Sequence, residues 1–160
     1  MPQTPASQNP AASARFPWPP ALVALALAGG FALGPVAPDW PLARAPSLAI
    51  GGVIILCALA VDLWCASLFR RRHTTLAPHR AASTLIVDGP YRYSRNPIYI
   101  AHICLVIGIG VFTRASGVLL LAPVLALALD RLSAAPEEKR LAEQFGPEFR
   151  AFAARTRRWI

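Results

Sequence analysis

Four apolar runs, at 21–37, 47–69, 97–113 and 116–134, limit what this chain can fold into. The second is the plainest, 23 residues from Ser47 to Phe69 with Asp62 as its one charge. A helix needs about 20 apolar residues to cross about 30 Å of hydrocarbon, so the first and third runs are short. Interfacial residues such as Trp18 and Tyr99 could complete them, or each could form a tight hairpin with a neighbour. The chain is 160 residues long, 55% hydrophobic and 15% charged, with a mean hydropathy of +0.45. Such values exclude a disordered chain, a collagen-like repeat and an ordinary soluble domain. The length suits one domain, 17–160, behind a disordered tail, 1–16, rich in Pro, Ser and Gln.

Charge gives the runs a direction. Sixteen Lys and Arg oppose eight Asp and Glu, a net +8. Thirteen of the sixteen lie in 70–96 and 131–160, on either side of the third and fourth runs; Arg15, Arg44 and Arg114 are the exceptions. Basic loops stay cytoplasmic, so this pattern predicts four crossings of an inner (plasma) membrane with both termini inside. The loops 38–46 and 113–116 then face out, with single charges at Asp39, Arg44 and Arg114. A nucleic-acid binder needs a soluble basic face, and the apolar bulk leaves none, so no nucleic-acid partner is expected. The expected architecture is all-α: transmembrane helices at about 20–37, 47–69, 97–113 and 116–134, then an amphipathic helix at about 137–156. A secretory signal is the alternative for the first run, but the uncharged residues 1–14 make a poor n-region.

Several residues could carry chemistry. Gly89–Pro90 signals a turn, and Asn96–Pro97 reads as an N-cap followed by proline at the first helical position. A helix N-terminus beside Arg92 and Arg95 could hold a carboxylate or phosphate; contact with lipid headgroups is the plainer reading. Glu137 and Glu138 could simply favour the first turn of a helix. Beyond them Leu141, Phe145, Phe149 and Phe152 form one apolar stripe, which Gly146–Pro147 breaks or bends. His73 and His79 lack a third ligand, and Cys57, Cys65 and Cys104 read as small hydrophobes, so no metal is expected. Asp62 and Asp130 should face protein or water, and His102 could meet either one. Such a pair would stabilise packing or relay a proton. Gly108–Ile109–Gly110 lies mid-helix and suits close helix packing, not a dinucleotide loop.

The run Gly89–Pro–Tyr–Arg–Tyr–Ser–Arg–Asn–Pro–Ile–Tyr99 is followed by an apolar hairpin, by Glu137–Glu138, and by Leu141, Phe145–Gly146, Phe149, Phe152 and Arg157–Arg158–Trp159. Over about 47–160 this resembles the isoprenylcysteine carboxyl methyltransferase-like family, small membrane enzymes related to phospholipid N-methyltransferases. The resemblance implies S-adenosylmethionine as cofactor and a lipid or lipophilic acceptor, methylated at a carboxyl oxygen or an amine nitrogen. It implies a catalytic role for Arg95 and Asn96, and cofactor contacts from Gly89, Tyr91, Arg92, Arg95, Asn96, Pro97, Tyr99, Glu137 and Glu138. Arg92 and Arg95 could pair with the cofactor's carboxylate, and the glutamates with its ammonium or ribose hydroxyls. Asn96 stands where many isoprenylcysteine enzymes carry His, which is closer to the phospholipid-type members; Ala101 stands where Gly often follows the Tyr. An amine acceptor must first lose a proton, which would draw in His102 or a glutamate. A membrane NADPH-dependent reductase of related scaffold and a non-catalytic membrane protein are the alternatives.

Overall fold

The computed structural model describes residues 19–72 and 84–160. The tail 1–16, Trp18, His73 and His79 lie outside the described residues. Six α-helices are formed among the described residues: α1 (Pro19–Ala32), α2 (Arg44–Arg71), α3 (Pro97–Thr113), α4 (Ser116–Leu129), α5 (Ala135–Phe145) and α6 (Pro147–Arg155). There is no strand among the described residues. Two continuous segments, Arg44–Arg71 and Ser116–Phe145, are long and apolar enough to cross a membrane; α1 and α3, of 14 and 17 residues, are shorter.

The boundaries follow local chemistry. The first apolar run does not stay helical to residue 37. It stops at Ala32 and tightens into a short turn at Gly34–Val36, because Pro35 has no amide hydrogen to continue the ladder and restricts the residue before it. The fourth run behaves in the opposite way. Asp130–Ala134 forms a π-turn, and the chain continues unbroken through α5 to Phe145. The widened turn leaves room for Pro136, which in a regular helix would collide with the preceding carbonyls. The helix expected at 137–156 is therefore two pieces. α5 prolongs α4, and α6 begins after the break at Gly146–Pro147.

α2 runs antiparallel along α3, with Ile55 against Gly108 and Asp62 beside His102, while α1 packs on α4. The second contact depends on small residues. A β-carbon on Gly30 would lie 2.5 Å from the Val118 Cα, and one on Gly117 would strike the Gly30 carbonyl oxygen. Without side chains here the two backbones approach closely enough for dispersion to hold them in an apolar solvent. Around the bundle Leu25, Val53, Leu56, Leu63, Val124 and Leu127 are exposed. A belt this apolar is a liability in water and suits hydrocarbon. The end of α2, the start of α3, and α5 with α6 gather at one end of the bundle, where Cys65, Leu85, Ile86, Tyr91, Phe149 and Phe152 make a second small core.

Candidate functional site

That end carries an acid–base cluster centred on Glu138. Arg158 grips its carboxylate with two bonds, Nη2 to Oε2 at 2.9 Å and Nε to Oε1 at 3.1 Å. Such a two-point fork fixes geometry as well as charge. Asn96 donates its amide Nδ2 to the same Oε1 at 3.1 Å, and Arg95 Nε stands 3.1 Å from that oxygen. Arg158 Nη1 reaches Asp130 Oδ1 at 3.3 Å, and Trp159 donates its indole N–H to the same atom at 3.1 Å. Hydrogen bonding to Glu138, together with Asp130, pushes the Arg158 guanidinium above its ordinary value and keeps it charged.

The backbone ties the last residues to the start of α3. Arg95 N–H donates to the Arg157 carbonyl at 2.9 Å, and the Ser94 hydroxyl donates to the Arg158 carbonyl at 3.0 Å. Ser94 Oγ also accepts the Asn96 N–H at 3.0 Å. Asn96 occupies the N-cap position of α3 but makes no side-chain cap. Its buried amide is committed to Glu138 instead, and that is the departure from the local reading of Asn96–Pro97.

Glu137 faces the neighbouring turn of α3, where the Tyr99 hydroxyl donates to its Oε2 at 2.6 Å. The turn at Gly89–Arg92 leads into this region. Gly89 has φ +59, and a β-carbon there would lie 2.9 Å from Leu68 and 3.2 Å from the Trp64 indole nitrogen, so both conformation and space call for glycine. Tyr91 is buried edge-on against Phe69, with ring centroids 6.0 Å apart, and burial pushes its phenol well above the usual value, so it stays neutral. Arg72 pairs with Asp88 just before the turn.

Arg95, Asn96, Pro97, Tyr99, Glu137 and Glu138 thus come together, with Gly89 and Tyr91 on the adjoining turn. Arg92, at the end of that turn, is exposed. Sequence reasoning named Asp130, Arg158 and Trp159 without assigning them to the site, and gave Ser94 no role. The signal for two of them was Arg157–Arg158–Trp159, a basic and aromatic run following an amphipathic stripe; for Asp130 it was a lone charge ending an apolar run. Four buried polar atoms lack a hydrogen-bond partner among the described residues: Arg95 Nε (off the hydrogen-bond line to Glu138) and Ser133 Oγ at this end, and Asp62 Oδ1 and His102 Nδ1 between α2 and α3. No group of three His, Cys, Asp or Glu that could hold a metal ion is present among the described residues either.

Together these features describe a helical membrane protein with a buried polar cluster at one end. Residues 46–148 match the phospholipid methyltransferase family, and the chain belongs to that family of isoprenylcysteine- and phospholipid-methyltransferase-like membrane enzymes. It is 32% identical over 112 residues to the cobalt-zinc-cadmium resistance protein CzcN of Cupriavidus metallidurans, covering 68% of this chain and 46% of that protein. It is 31% identical over 112 residues to the nickel-cobalt-cadmium resistance protein NccN of Alcaligenes xylosoxydans xylosoxydans, covering 68% of this chain and 47% of that one. The chain spans about half the length of these curated relatives. No solved structure matches it.

Proposed function

We propose that this chain is an S-adenosylmethionine-dependent membrane methyltransferase acting on a lipid or lipophilic acceptor. The observation that carries the reading is the meeting of Arg95, Asn96 and Tyr99 at the start of α3 with Glu137 and Glu138 on α5. The donor set suits a zwitterionic amino-acid cofactor. Arg95 and Arg158 would take its carboxylate, while Glu137 and Glu138 would take its ammonium and ribose hydroxyls. Arg95 Nε is ion-paired with Glu138 at 3.1 Å but makes no hydrogen bond, which leaves a buried donor to offer. When bound, the cofactor supplies an electrophilic methyl group on a sulfonium.

The protein's own work is positioning and the exclusion of water. Glu138 holds Arg95, Arg158 and Asn96 in one arrangement, so these groups need not reorganise when a charged ligand arrives. The Tyr99–Glu137 bond fixes the wall between this cluster and the apolar helices. The packing of α1 along α4 and the placement of basic residues support four crossings, with 84–96 and 135–160 on the cytoplasmic side. Equilibrium binding of labelled S-adenosylmethionine and of NADPH to detergent-purified protein tests the reading. Binding of the first alone is expected; binding of the second alone would turn the assignment to a reductase, and binding of neither to a non-catalytic membrane protein. Lipid profiling of a deletion strain, searching for species lighter by one methyl group, would then identify the acceptor.

A further inference from the structure

The bundle has a second polar end, opposite the Glu138 cluster. A cavity of about 590 Å³ opens there, lined by Trp40, Arg44 and Leu48 around the start of α2 and by Phe112, Thr113 and Arg114 at the end of α3. Its size falls within that of small-ligand sites, about 300–1,000 Å³. Arg44 and Arg114 are exposed, and neither makes an ion pair or a side-chain hydrogen bond among the described residues. Over 19–61 and 97–129 the chain holds one acid, Asp39, against these two arginines.

Ordinary helix chemistry explains these arginines poorly. Arg44 opens α2, where the helix dipole disfavours a cation, and no acid stands in the first turn. Arg114 is the one non-glycine residue in the left-handed region among the described residues, with φ 61 at the close of α3. Glycine is the usual occupant of that position and takes the conformation without strain. The carbonyl end of α3 favours a cation, but one in the last turn would serve without the strain. The wall beside them is fixed. Trp40 donates its indole N–H to Ser47 Oγ at 2.8 Å, and the fully buried Ser47 donates to the Ala43 carbonyl at 2.9 Å. A tryptophan serving only as an interfacial anchor would turn that N–H toward the headgroup layer. Gly51 holds Phe112 in place, since a β-carbon there would strike the Phe112 backbone.

α2 has 28 residues and is therefore about 42 Å long, which matches a bilayer with its headgroup layers, about 40–45 Å. With Arg71 at one interface, Arg44 stands in the headgroup layer of the other. On the four-crossing reading that is the outer face, where arginines are scarce. Leu48 and Phe112 are exposed, so the cavity joins the apolar belt. We infer that this cavity binds an anionic phospholipid, its phosphodiester on Arg44 and Arg114 and its glycerol and first methylenes against Trp40, Leu48 and Phe112. The guanidinium fork matches two phosphate oxygens at once. A zwitterionic headgroup brings its own ammonium toward the arginines, and free phosphate leaves the apolar half of the cavity uncovered. The site is independent of the methyl-transfer reading, and its lipid clasps the start of α2 to the end of α3.

The test uses the full chain in detergent, with Arg44→Gln, Arg114→Gly and the double variant. Native mass spectrometry reads retention of phosphatidylglycerol against phosphatidylethanolamine, and a thermal melt reads folding. Wild type should retain phosphatidylglycerol at least about tenfold better, and each single variant should lose about fivefold, the worth of one arginine near an anionic headgroup. The double variant should bring the two lipids level. Glycine accepts φ 61 freely, so Arg114→Gly should melt no lower than wild type in the absence of lipid, and its lost binding is then not misfolding. A wild type with no preference would overturn the inference. So would a preference that survives in the double variant, since it would belong to the basic residues at the other end. Inorganic phosphate that raises the melting temperature as far as phosphatidylglycerol does would overturn the lipid and leave a simple anion site. If Arg44→Gln fails to fold, Arg114→Gly alone decides the matter.

Discussion

The Glu138 cluster and the Asp62–His102 pair are both acid–base groups shielded by helices, yet they are finished in opposite ways. Both Glu138 oxygens are bonded, by donors from two distant stretches of chain, Asn96 and Arg158. Asp62 and His102 meet at 3.9 Å and each keep a buried polar atom open. A satisfied cluster holds its shape and pre-forms a binding wall; an unsatisfied one holds capacity for a ligand. The difference separates a cluster already arranged for a charged ligand from a pair whose polar atoms are left open inside the helices.

The sharpest way to break this contrast is Glu138→Ala, which strips the acceptor from Arg95, Asn96 and Arg158. Breaking a buried pair costs about 3–5 kcal/mol, and the loss should fall below that ceiling because the Arg158 side chain is 34% exposed. Thermal unfolding in detergent should drop markedly, and the chain after Arg155 should become open to protease. An unchanged midpoint would mean the cluster does not hold the fold. Tyr99→Phe removes one bond to a charged acceptor and should cost about 1.5–3 kcal/mol, measured by the same melt. Gly89→Ala forces a side chain into the left-handed region against Leu68 and Trp64, and about 1–2 kcal/mol is expected. Smallest of all, Asp62→Asn should change stability by about 0.5 kcal/mol or less, since it leaves no atom worse satisfied than before. A large loss there would move the pair into the structural class.

The meeting of the α3 start with the acidic pair was legible because two motifs, Arg95 to Tyr99 and Glu137–Glu138, each carried its own signature. The partners of Glu138 from the chain's last residues were not. Arg158 lies 62 residues from Asn96, and periodicity speaks only to neighbours a turn or two away. Asn96 misled for the same reason. Local rules assign it a cap, whereas a carboxylate on α5 offers a charged acceptor that the cap position cannot match. The α3 bounds followed directly from Pro97 and the end of the apolar run. Those of α1 and α5 did not, because Pro35 stops one helix while Pro136 is absorbed by a π-turn in the other. Proline alone does not say which will happen.

The π-turn at Asp130–Ala134 has a consequence for how chains of this kind diverge. Each residue advances a helix by about 100° around its axis. Loss of one residue at the π-turn would close it to a regular turn and keep Glu137 and Glu138 facing Tyr99 and Asn96, whereas loss of one residue from the regular turns of α4 would swing both glutamates by that angle. Orientation here is a matter of phase, and the widened turn is the one place in this helix that can give up a codon and leave the acidic pair where it is.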